Sequence, residues 1–102
     1  MSDPGFKIRY LSAAENDLDD IFDYITKDNP SAAVSLLKKF DDAISQLALN
    51  PELGVVPKVD RLKKLGYRIL IIGKYLVFYV KKADTVQIRR IIHGARQYSF
   101  LL

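Results

Sequence analysis

The sequence predicts an α+β domain: one short strand, an antiparallel two-helix hairpin, then a three-stranded antiparallel meander (βααβββ). Three observations carry this. Residues 6–11 mostly alternate apolar with polar side chains, residues 12–49 repeat apolar ones at helical spacing in two segments, and residues 67–93 hold three apolar runs parted by short turn signals. A chain of 102 residues, 49% hydrophobic and 27% charged, is expected to form one soluble domain with a thin core.

Phe6, Ile8 and Tyr10 share one face of the first strand. Ser12-Ala13-Ala14-Glu15 has the form of a capping box, which predicts a helix from there to about Lys27. Ala14, Leu18, Ile21, Phe22 and Ile25 form its apolar stripe. Glu15, Asp17, Asp19, Asp20 and Asp23 cover much of the remainder. Acids near a helix N-terminus complement its dipole, and we prefer that reading to metal binding. Asn29 can cap a second helix with Pro30 in its first position, and the helix is expected to run to about Leu49. Residues 50–66 hold two prolines, two glycines and four basic side chains, and read as a loop crossing the molecule.

Tyr67–Ile72 is the next strand, and Gly73-Lys74 makes a hairpin turn into Tyr75–Val80, which is apolar on both faces and so central. Lys81–Asp84 turns the chain again. In the last strand, Thr85–His93, simple alternation puts Val86, Ile88, Arg90 and Ile92 on one face, and Gln87, Arg89, Ile91 and His93 on the other. The first strand is expected to add to the meander's edge. The helix hairpin covers one sheet face and leaves the other open.

There is no cysteine and only one histidine, so neither a disulfide nor a metal site within one chain is expected, and no cofactor is expected either. The longest aliphatic run, Ile69–Ile72, is far too short to span a membrane, and the N-terminus has no signal-like apolar run. A cytoplasmic location follows as the expectation. The net charge of +4 conceals a division. Residues 1–57 carry five basic and ten acidic side chains; residues 58–102 carry eleven basic ones and only Asp60 and Asp84 as acids. The second part is suited to a polyanion or an acidic protein segment.

The segments Tyr10–Leu18, Asp20–Ile25, Asn50–Gly54, Gly66-Tyr67-Arg68, Gly73–Tyr79 and Ile92-His93-Gly94-Ala95-Arg96 occur in an order and spacing that resembles the RelE/ParE superfamily of toxins from bacterial type II toxin–antitoxin systems. The likeness covers about residues 8–97, and its helix hairpin and His-Gly-Ala-Arg ending look more like the ParE branch. The resemblance implies a growth-inhibiting toxin of a plasmid-stabilisation module, with a small ParD- or RelB-like antitoxin as partner. ParE-like members are described as poisoning DNA gyrase. RelE-like members cut messenger RNA on the ribosome as mRNA interferases. Operator DNA would be reached only through the antitoxin complex. The family's usual acidic residue after the arginine is Gln97 here, which weakens any role for a carboxylate at that place.

Metal-independent RNA cleavage needs a base for the 2′-hydroxyl, positive charge for the phosphorane and an acid for the leaving oxygen. Arg68, His93, Arg96 and Tyr98 are the candidates for that chemistry. A wider basic surface for target or antitoxin comprises Lys58, Arg61, Lys63, Lys64, Arg68, Arg90 and Arg96. Structural readings stand beside these: His93 can cap a strand end, and Arg90 can lay its stem over the core or pair with an acid of the helix hairpin. Three functions remain open at this point: a ParE-like gyrase inhibitor, a RelE-like endoribonuclease, and a non-toxic member that only binds its antitoxin.

Overall fold

A computed structural model of the protein describes residues 5–94. Strand β1 (Lys7–Tyr10) leads into helix α1 (Ser12–Asp28) and helix α2 (Pro30–Ser45), whose end tightens into a 3-10 turn at Gln46–Ala48. A five-residue helix α3 (Asp60–Lys64) precedes strands β2 (Tyr67–Ile72), β3 (Tyr75–Lys82) and β4 (Thr85–His93). The sheet order is β1-β4-β3-β2. The last three strands are antiparallel, and β1 runs parallel to β4, with Lys7 opposite Thr85 and Tyr10 opposite Ile88. The predicted βααβββ order and the helix hairpin on one sheet face are therefore observed.

The hairpin forms for the reasons read from sequence. The Asn29 side chain accepts from the Ala32 amide, and Pro30 fills a position where a helix needs no amide donor. Ala14, Phe40, Ile44 and Leu47 meet Leu70, Ile72, Val77, Tyr79, Val86, Ile88 and Ile91 in the main core. The capping box at Ser12 does not form. Leu11 occupies the N-cap position with no side-chain cap, because its amide is still bonded to the Ile88 carbonyl and Ser12 already lies inside the helix.

Three further expectations are corrected. First, residues 50–66 are not a plain loop. Val55 makes an antiparallel bridge to Ile69, the two residues exchanging both backbone hydrogen bonds at 2.8 Å, and α3 follows. Second, the other sheet face is not open. Leu62 of α3 is completely buried and packs with Tyr67, Ile69, Phe78, Val80 and Ile92 into a second, smaller core. One apolar side chain amid basic ones gave too little periodicity to show this.

Third, the faces of β4 exchange partway along. Phe78 pairs with Arg90 and the next residue, Tyr79, pairs with Ile88, so Arg89 is an extra residue, a β-bulge. Val86 and Ile88 face the helices before the bulge and Ile91 does so after it, while Ile92 joins the second core. Simple alternation had put Ile92 with Val86 and Ile91 opposite. At the tip of the β3–β4 turn, Ala83 takes a positive φ of 54°, and β3 runs on to Lys82.

Candidate functional site

The bulge and the short β1 together make the site. β1 accompanies β4 only as far as Ile88, which leaves the outer edge of Arg89–His93 without a neighbouring strand among the described residues. Asp17 of α1 fills part of that gap. Its Oδ2 accepts from the Ile91 amide at 2.9 Å and from Arg90 Nε at 2.7 Å, and its Oδ1 accepts from an Arg90 terminal nitrogen at 2.9 Å. The fork is two-pronged, and both side chains are largely shielded, 24% and 15% exposed. Bonding to the carboxylate holds the Arg90 guanidinium above its already high pKa, against the opposing pull of burial. Arg90, counted from sequence in a basic target surface, is thus neutralised by the helix hairpin.

Beside this pair lies a cleft of about 380 Å³ between α1 and the end of β4, lined by Asp17, Asp20, Ile21, Tyr24, Tyr75, Arg90, Ile91, Ile92 and His93. Tyr24 stands 74% exposed at its rim. The His93 and Tyr75 rings meet edge to face at 5.5 Å, and Tyr75 meets Phe40 in the same way. His93 is therefore an exposed side chain set against a fixed aromatic row. The cleft offers one carboxylate, Asp20, beside aromatic and aliphatic walls, which suits anchor side chains of a protein partner. Asp17, Asp20, Ile21 and Tyr24 were missed as site residues, although their spacing of three, four and seven places them on one helix face.

Arg68 lies elsewhere. It pairs with Tyr79 across β2 and β3, on the helix-bearing face, and donates to the carbonyls of Glu52 and Gly54 at 3.3 and 2.9 Å. The Tyr79 hydroxyl accepts from the Gly54 amide at 2.8 Å and donates to the Pro51 carbonyl at 2.7 Å. Together these two side chains fasten the chain between α2 and α3. Tyr79 aligns with Arg68 and Tyr75 with His93, so four residues of β3, roughly 13 Å of strand, separate the two candidates lengthwise. The structure does not bring Arg68 and His93 together. Arg96 and Tyr98 lie outside the described residues.

Lys58, Arg61, Lys63 and Lys64 are exposed on and before α3, on the face away from the hairpin. Cations in the last turn of a helix also complement its dipole, which is their structural reason for being there. On the same face Arg89, another residue that sequence reasoning left unassigned, lays its guanidinium over the Tyr67 ring at 5.6 Å.

Comparison with known proteins brings these features into one frame. A sequence profile described as the ParE toxin of the type II toxin–antitoxin system, parDE, matches residues 8–98. The chain is 30% identical over 96 residues to Y4kP, an inferred toxin of Sinorhizobium fredii, covering 94% of this chain and 96% of that one. Its fold is similar to a chain of the chromosomal ParDE system from P. aeruginosa, with a TM-score of 0.73 at 21% identity over 89% of this chain and 98% of that one. It is also similar to a chain of the RelBE2 toxin–antitoxin complex from Mycobacterium tuberculosis, with a TM-score of 0.57 at 22% identity, over 87% and 98% of the two chains.

Proposed function

The chain belongs to the ParE toxin family of type II toxin–antitoxin systems, and from that premise we propose that it arrests growth by binding DNA gyrase in the cytoplasm. Its partner in this reading is a small ParD- or RelB-like antitoxin that holds it inactive, within a module of the plasmid-stabilisation kind. The family match over residues 8–98 carries the proposal. The separation of Arg68 from His93 counts against an RNase site that uses both, because such a site needs its charge-neutralising and proton-transferring groups around one phosphate. The α1–β4 cleft, with His93 at its rim and Arg96 and Tyr98 following in sequence, is the surface we assign to protein contact.

The test is brief, controlled induction with parallel mapping of RNA 5′ ends and of gyrase-linked DNA breaks. Arrest with gyrase-linked breaks and no new RNA ends is the expected result. New ends confined to translated message would replace this reading with a RelE-type endoribonuclease. No arrest, with the protein folded, would leave a non-toxic antitoxin-binding member. The antitoxin is tested separately, by saturable binding to the product of the neighbouring gene.

A further inference from the structure

The two arginines at the bulge are treated differently. Arg90 is matched to Asp17 by two hydrogen bonds. Arg89, next to it, is half-buried and has no carboxylate partner among the described residues. One of its terminal nitrogens donates to Gln87 Oε1 at 2.9 Å, its plane lies over Tyr67, and its Nε is buried with no hydrogen-bond partner. A half-buried guanidinium with a buried Nε donor unmet and no counter-charge is costly to hold. It is also held in place: the cross-strand row Tyr67–Val80–Gln87 supports it across three strands. Lys82 continues the same face two residues beyond Val80, and Lys63 and Lys64 stand exposed on α3, whose Leu62 is seated on that face.

We propose that this second sheet face binds the phosphodiester backbone of a nucleic acid directly, with Arg89 as its fixed centre and Lys63, Lys64 and Lys82 around it. The chemistry fits a repeating anion. A planar guanidinium fork matches phosphate oxygens, and lysines spread over a strand and a helix meet successive phosphates without a shaped pocket. The acidic hairpin on the opposite face sets the orientation, since it repels the polymer that the second face attracts. The proposal goes beyond the gyrase reading and holds whether or not gyrase is the target, because it concerns the isolated chain.

The experiment is fluorescence anisotropy of a labelled DNA duplex of about 20 base pairs, titrated with the full-length protein from about 50 to 200 mM salt. Saturable binding is expected, with affinity falling linearly on a log–log plot against salt. Arg89→Gln should lower that slope by about one, and Lys63→Gln with Lys64→Gln should lower it further and weaken binding by about tenfold. Lys38→Gln with Lys39→Gln, on the hairpin, should leave it unchanged. Thermal unfolding by circular dichroism checks each variant. Lys64→Glu with Lys82→Glu, both exposed, carries the test if Arg89→Gln does not fold. Absence of saturable binding would overturn the proposal, as would equal loss in the hairpin variant. So would competition by polyglutamate as effective as that by unlabelled DNA, which would make the face a site for acidic protein segments.

Discussion

Tyr79 is buried among aliphatic side chains, yet its hydroxyl serves two backbone groups of the 50–54 segment. Tyr79→Phe would leave the Gly54 amide and the Pro51 carbonyl short of a partner, and we expect it to destabilise the protein by about 1–3 kcal/mol in urea unfolding. Burial pushes the Tyr79 phenol above its ordinary value of 10.0, with smaller opposing pulls from the Gly54 amide and Arg68. The folded state therefore holds the phenol proton more tightly than the unfolded one. That contribution is complete below about pH 10 and is lost as pH rises through the folded pKa. Stability of the wild type should fall in this alkaline range, and the fall should be shallower in Tyr79→Phe. Gly54 is the matching constraint. A Cβ there would sit 2.7 Å from the Tyr79 hydroxyl oxygen and 2.8 Å from the Ile69 carbonyl, so Gly54→Ala should cost about 1–3 kcal/mol by the same measurement. None of this was legible residue by residue. Tyr79 reads as core from its strand pattern, and only the register across from Arg68 reveals what its hydroxyl can reach.

At the scale of elements, the two hairpin helices and all four strands were legible because each repeats its apolar positions. α3 was not, because five residues allow Leu62 alone to face the sheet. A helix that short does not stand by itself, and its place depends on what Leu62 buries. Leu62→Ala should therefore cost about 2–5 kcal/mol and expose the second core, which dye binding to exposed apolar surface would report. The bulge at Arg89 was also hidden, since periodicity within one strand cannot show a residue that its neighbour fails to match. Its effect is local and decisive for the cleft. It turns Ile91 into the main core and sets Arg90 against Asp17 at the unaccompanied edge of β4. Asp17→Ala should leave Arg90 and the Ile91 amide without that partner, lowering stability by about 2–3 kcal/mol in urea unfolding.

For the whole molecule, the charge division read from sequence becomes a division in space. The acidic side chains lie largely on the hairpin layer, and the cations of α3, Lys82 and Arg89 lie on the other face of the sheet. That division was visible before the fold; its placement on opposite sides of the sheet was not. His93 is exposed, so His93→Ala should change stability by less than about 1 kcal/mol while reducing growth arrest on induction, if the α1–β4 cleft is the contact surface. Unchanged arrest from this variant would move the contact elsewhere. The parallel pairing of β1 with β4 sets a schedule on all of this. Lys7 meets Thr85, so β1 must wait for β4 before the sheet can close. Contacts this distant in sequence form late and slowly. During synthesis, the edge that Asp17 caps and the cleft beside it do not exist until β4 has emerged. A ribosome halted before residue 85 releases a fragment with neither, and each molecule passes through an interval, after it is made and before it closes, in which it lacks these features.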